Sequence, residues 1–418
     1  MSRAHETIAL VGTATLSIAS CSEYHSVLRP CPDGHCVPGL TCERGVCRDD
    51  LPDAAFARDA FVELDAATVE PRDGGHAGMD SPTPLDASDT RDAPLALPPP
   101  EPDLPDTGPR EPSPTPTTCA LPGTFADVAL DWERHRVWLT RPLEGLVSVV
   151  RLSDCTSTDI EVSGLPEHVF FEPFREEIFV TSPMANLDAR LQDGRLIVVD
   201  AIALTVRSET RLPLHPWDVV SDGTGRAYVS GAFWDFSITT LVDVELSTGM
   251  VRLSPGSRLP ERAELHLHPR LNRVYATTDR VTPTDVYRLS SGEGTFVEYD
   301  SPYHGEHETC GDLRIHPSGH SLFTACGAIH LASDARSDDM TWVAELPLPW
   351  SDLAFSEDGA SGFFIDGPSS VSVFDVATLA ARRDIALPTT PRRIFVAHDY
   401  ILILYADGME VRPLPAPE

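Results

Sequence analysis

Seven times between residues 121 and 405 the chain repeats one pattern: a Leu-Pro pair, a short loop, then two apolar runs joined by a turn. The first copies are Leu121-Pro122 with VALDWERHRVWLT (128–140), Leu165-Pro166 with VFFEPFREEIFVT (169–181) and Leu212-Pro213 with VVSDGTGRAYVS (219–230). Leu259-Pro260 with LHLHPRLNRVYAT (265–277) and a degenerate Ser301-Pro302 with LRIHPSGHSLFT (313–324) follow. Leu346-Pro347 with LAFSEDGASGFFI (353–365) and Leu387-Pro388 with IFVAHDYILILY (394–405) complete the series. Successive prolines lie 41 to 47 residues apart, a period that, built from strands, marks the blades of a β-propeller. Each unit has too little apolar surface to bury itself. Stacking the units in a ring covers both faces of every sheet, and closing the ring removes the open ends.

The expected fold is therefore all-β, a seven-bladed β-propeller over residues 119–418. The run after each Leu-Pro forms the innermost strand a, and VWLT, IFVT, AYVS and VYAT form strand b. Strand c spans 146–152, 195–201, 241–246 and 371–378. Asp222-Gly223, Asp358-Gly359 and Asp366-Gly367 supply hairpin turns. The last unit lacks a fourth strand, while the first is preceded by a spare one, Thr118-Cys119-Ala120-Leu121-Pro122. The N-terminal strand is thus expected to complete the last blade.

AYVS (227–230), VDVELSTG (242–249) and FDVATL (374–379) resemble the YVTN-type seven-bladed propellers, and the resemblance covers residues 119–418. It implies the fold rather than an activity, because that family includes surface proteins, binding proteins and some enzymes. Thr or Ser replaces the eponymous Asn, and no functional residue carries over.

Residues 1–20 have the organisation of a signal peptide, with Arg3 ahead of a modest apolar stretch, 8–18. Ile18-Ala19-Ser20-Cys21 resembles a bacterial lipobox, which implies acylation of Cys21; an ordinary secretory peptide with an incidental Cys21 is the other reading. No later segment approaches the roughly 20 apolar residues of a membrane-spanning helix. The expected location is the cell envelope, on the outer membrane or cell surface through lipid alone, or else the medium. Ser22, in place of Asp, points towards the outer membrane.

Nine cysteines fit export. Setting Cys21 aside leaves an even number. Cys31, Cys36, Cys42 and Cys47 crowd into 21–48, a module too short for a core of its own, so two disulfides of open connectivity are expected there, with zinc as the rival reading. Cys310 precedes strand a and Cys326 follows strand b of one unit; those ends are neighbours, so the two can bridge. Cys119 and Cys155 pair by elimination. Residues 49–118 hold 14 Pro and 16 Asp or Glu against four Arg. Such a segment cannot bury enough surface to fold and reads as a disordered linker.

Formal net charge is −32 and every basic residue is Arg. Lysine Schiff-base chemistry is excluded, and nucleic acid is an unsuitable partner. The sequence contains no G-x-S-x-G, H-E-x-x-H, P-loop, dinucleotide fingerprint or haem motif.

Candidate ligand-binding residues cluster at one end of the expected channel. The position before strand a reads Asp127, His168, Asp218, Glu264, Asp312, Asp352 and Arg393. Carboxylates so gathered repel unless protonated, paired with Arg393 or neutralised by a cation such as Ca²⁺; alternatively each caps its turn and fixes a neighbouring blade. His304 and His307 form an H-x-x-H pair that either ligates a metal or stands in a solvated loop. His266 and His268 on an inner strand suit either a channel-facing or a structural role. The b–c loops at 182–194 and 231–237 are long, and Phe233 and Trp234 in the second fit either a ligand anchor or blade packing. The functional expectation is a monomeric exported, lipid-anchored binding or scaffolding protein with a protein or glycan ligand at the channel face. No cofactor is required, and the alternative is a divalent-cation-dependent hydrolase or lactonase at the acidic mouth.

Overall fold

A computed structural model describes residues 40–43, 46–49, 114–115, 117–184, 193–232, 241–253, 259–269, 273–278, 284–290, 297–303 and 305–415. The chain divides into two units, 1–99 and 100–418. In the first, the described residues form one antiparallel hairpin, Leu40–Glu43 with Val46–Asp49, whose register sets Cys42 opposite Cys47. Cys21, Cys31, Cys36 and most of the linker lie outside the described residues.

The second unit is a seven-bladed propeller of four-stranded antiparallel sheets. The innermost strands are Val128–Asp131, Val169–Glu172, Pro216–Ser221, Glu264–Leu267, Leu313–Ile315, Asp352–Phe355 and Arg393–Ala397, for blades 1 to 7. The last blade is completed by Thr117–Ala120, which pairs with Gly408–Pro413 and sets Cys119 opposite Met409. Disulfides join Cys119 to Cys155 and Cys310 to Cys326, with Cα–Cα distances of 5.4 and 5.5 Å. The first ties the closing strand to blade 1.

Alternation along strand b holds the ring together. Val137 and Leu139 enter the core shared with blade 7, while Trp138 between them enters the core shared with blade 2. Opposite faces of one strand therefore serve two interfaces, as a period of two requires. Seven apolar clusters result, one at each junction between neighbouring blades, including the junction of blades 7 and 1. Phe179, Tyr228 and Tyr275 repeat the role of Trp138 in blades 2 to 4, each fully buried against the following blade.

Two sequence expectations shift by small steps. In blade 5 the register pairs Leu313 with Thr324, so Ala325, not Thr324, occupies the position of Thr140. The reason is packing: a one-residue slip would swing Phe323 out of the blade 5–6 core. Gly223 and Gly359 sit at turns with φ of 70° and 71°. Asp366-Gly367 instead ends the strand Ser361–Gly367, and Pro368-Ser369 makes the turn.

Candidate functional site

The seven residues that precede strand a or lie in its first residues converge on one mouth of the channel, and they fall into two groups. In the first, Arg393 holds three carboxylates. Its guanidinium lies 3.2 Å from Asp127, 3.6 Å from Asp312 and 3.7 Å from Asp352. Arg314, on the inner strand of blade 5, adds contacts of 2.5 Å to Asp312 and 2.6 Å to Asp352. His266 Nε2 stands 3.0 Å from Asp312, a close approach not aligned as a hydrogen bond.

The second group has no arginine of this kind among the described residues. His168 Nδ1 lies 3.6 Å from Asp127 and 3.9 Å from Asp218. Trp217 Nε1–H donates to Glu264 Oε1 at 3.0 Å, and the Trp217 ring packs against His168 with centroids 4.4 Å apart. Arg262 lies over the same indole, 4.9 Å from its centroid. One ligand atom each from His168, Asp218 and Glu264 lie within 4.8 Å of one another.

Protonation follows this division. Burial raises the Asp312 carboxyl, but Arg314, His266 and Arg393 outweigh it and leave it well below its ordinary value. Asp127 is likewise lowered on balance, burial being overcome by His168 and Arg393. In the other group burial dominates. It pushes Asp218 up to about 8, with Glu264 reinforcing it, and raises Glu264 as well. For His168 burial opposes the charge, yet Asp127, Glu264 and Asp218 carry its imidazole up to about 10. Arg393 is raised despite its burial by Asp352, Asp127 and Asp312.

The carboxylates also fasten the blades. Asp127 Oδ2 accepts the Val169 N–H at 3.0 Å, Asp218 Oδ2 the Leu265 N–H at 2.6 Å, and Asp352 Oδ2 the Ile394 N–H at 2.7 Å. Each reaches the first turn of the next blade's inner strand. The blade-fixing role weighed for these acids is therefore present in three of them, alongside any ligand role.

Hydroxyls at the fourth position of strand b place the second group. Thr140, Thr181 and Ser230 accept the backbone N–H of Asp127, His168 and Asp218 at 2.9, 3.2 and 3.1 Å. The same hydroxyls donate to the carbonyls of Glu167, Trp217 and Ala263 in the following blade. Each hydroxyl thus sets two neighbouring ring positions at once. In blades 5 to 7 this position is Ala325, Ile365 and Leu404, and ion pairs do the work instead. In blade 4 the Thr277 hydroxyl is buried without a partner.

Arg314 and the hydroxyl bridges were not among the residues singled out from the sequence. A signal for Arg314 exists: it lies two residues beyond Asp312, as His266 does beyond Glu264, so strand alternation turns both to the same side. Of the alternating histidines, His266 faces the channel, while His268 Nε2–H donates to the Gly319 carbonyl at 2.7 Å, a blade-to-blade tie at the a–b turns. His307 is not at the mouth. It stacks on Trp342 with centroids 4.7 Å apart and meets Tyr303 edge-on. His304, Phe233 and Trp234 lie outside the described residues. A hollow of about 490 Å³ beside the closing strand, bordered by Cys119, Tyr405, Glu410 and Arg412, is a separate feature with only two opposed charges in hydrogen-bond contact, Glu410 and Arg412.

No family model matches the chain, and no curated protein matches it. Solved structures do. The chain is similar to Kuenenia stuttgartiensis hydrazine synthase, with 14% identity and a TM-score of 0.54 over 70% of this chain and 96% of that one. It is also similar to the Myceliophteria thermophila Cps50 (Swd1) β-propeller domain, with 10% identity and a TM-score of 0.52 over 72% of this chain and all of that one (100%). At such identities the likeness shows the propeller fold alone.

Proposed function

We propose that this protein is an exported binding or scaffolding propeller, lipid-anchored through Cys21, which takes its ligand at the charged channel mouth. The observation that carries the reading is the convergence of seven ionisable residues from seven blades on one small, largely buried surface, with Asp218 and Glu264 making no ion pair to an arginine among the described residues. Burying charge is costly, and a site that keeps it under-neutralised favours a cationic group. Two disulfides in the propeller support export, since such bonds persist in oxidising compartments. Nothing in the geometry favours turnover over binding.

The test is capture from an envelope extract with the full chain as bait. A partner held by the native protein and released by Asp127→Asn with Glu264→Gln, but kept by the opposite-face variant His320→Ala, supports the reading. Equal capture by all three proteins contradicts it. A mass increase at Cys21 matching two acyl chains checks the anchor, and an unmodified Cys21 in the mature chain removes it.

A further inference from the structure

The side of the mouth that has no arginine ion pair among the described residues carries a more specific chemistry, which rests on the channel-mouth reading above. We propose that His168, Asp218 and Glu264 form a site for a divalent transition-metal ion of the zinc class.

Three observations lead there. First, the donors already converge, with one atom from each side chain inside a 4.8 Å span. Metal–ligand bonds of about 2.0–2.2 Å set neighbouring donors some 3–4 Å apart, so closure needs only a small adjustment. Second, each donor is oriented by a group that is not itself a ligand. Asp218 accepts the Val219 and Leu265 N–H groups, one on each oxygen. Trp217 fixes Glu264 Oε1 and leaves Oε2 without a hydrogen bond from the described residues. Asp127 stands 3.6 Å from the His168 imidazole, an outer carboxylate of the kind that accompanies a metal-bound histidine. Third, the described surroundings disfavour the main rival. Among the described residues the aromatic ring beside these donors is Trp217, already covered by His168 and Arg262, so it offers an organic cation no open face.

The donor set also selects among ions. Ca²⁺ prefers six to eight oxygens, whereas one imidazole with two carboxylates suits Zn²⁺ and its neighbours. Three protein ligands leave a coordination position open at the mouth, where an outside carboxylate or water can bind. The ion would also supply the positive charge that the arginine pair gives the other half of the ring.

The experiment is isothermal titration of Zn²⁺ into chelator-treated full-length protein, with Ca²⁺ in parallel. One saturable zinc site per propeller is expected, at least tenfold weaker in Glu264→Gln and in Asp218→Asn, and unchanged in His307→Ala. Circular dichroism confirms that each variant is folded. If a donor variant unfolds, Trp217→Phe takes its place. It removes the hydrogen bond that orients Glu264 without removing a ligand, and a loss of about tenfold in affinity is expected. Absent saturable binding, tighter binding of Ca²⁺ than of Zn²⁺, or affinity that survives both the donor variants and Trp217→Phe, overturns the proposal. Partner capture that still fails in Asp127→Asn with Glu264→Gln, in a protein that binds no zinc, sinks the metal while leaving the mouth as the binding surface.

Discussion

The two sides of the channel mouth solve the same electrostatic problem differently. On one side Asp312, Asp352 and Asp127 share two guanidiniums, and the blades behind them carry Ala325, Ile365 and Leu404 where hydroxyls could stand. On the other, Thr140, Thr181 and Ser230 bridge the backbone, and Asp218 and Glu264 face a single imidazole. The ion-paired side is neutralised from within. The hydroxyl-bridged side is rigidly placed but electrostatically incomplete, which is the condition expected of a surface that awaits a cation.

The largest consequence concerns Arg393. Arg393→Met removes the guanidinium shared by three carboxylates, leaving Asp312 and Asp352 to Arg314 alone, and is expected to cost about 3–5 kcal/mol in denaturant unfolding, the range for breaking a buried ion pair. Asp218→Asn on the other side forfeits a charge that burial already disfavours, and is expected to cost about 1–2 kcal/mol, the loss of one backbone hydrogen bond. Equal costs would erase the distinction between the halves.

The pH dependence of melting separates them in another way, best measured in chelator. Asp127 and Asp312 have lowered carboxyls, so their contribution is present above the ordinary carboxylate range and lost as pH falls through their folded values. Asp218 and His168 are raised, to about 8 and about 10, so their contribution is full at low pH. It is lost as pH climbs from the ordinary value of each group to its raised one, up to about 8 for Asp218 and from 6.5 to about 10 for His168. Melting temperature should therefore fall on both the acid and the alkaline side, and Asp218→Asn should flatten the decline between the ordinary carboxylate range and about pH 8 while sparing the acid limb and the His168 limb above it. A decline below about pH 8 unchanged in that variant would assign the effect elsewhere.

The hydroxyl positions give the finest distinction. Thr181→Val removes a hydroxyl bonded to both blades and is expected to cost about 1–2 kcal/mol. Thr277→Val removes one that is buried and unpartnered, and should be neutral or slightly stabilising, by less than about 1 kcal/mol. A cost at Thr277 matching that at Thr181 would mean the blade 4 hydroxyl is engaged after all.

Much of the fold was legible because a propeller repeats its packing problem. The Leu-Pro spacing, the alternating strand b residues and the spare strand at Thr117–Ala120 each reflect burial that any blade must achieve. The blade 5 register was not legible, since LRIHPSGHSLFT ends in the same Thr as the runs of blades 1, 2 and 4 while Phe323 obeys a core that only the next blade supplies. At the mouth, the seven positions were visible as the residues preceding each strand a. Their division was not. It depends on Arg314 and His266 reaching across blades, and distances between blades leave no local mark in the chain. His307 shows the converse: a suggestive spacing that three-dimensional packing assigns to a stack with Trp342.

The most direct test of the divided mouth is a carboxyl ¹³C titration of Asp218 and Asp312 in the folded, metal-free protein. Asp312 should remain ionised through the ordinary carboxylate range, while Asp218 takes up its proton near neutral pH, at about 8. Both carboxyls titrating together in the ordinary carboxylate range would contradict the account.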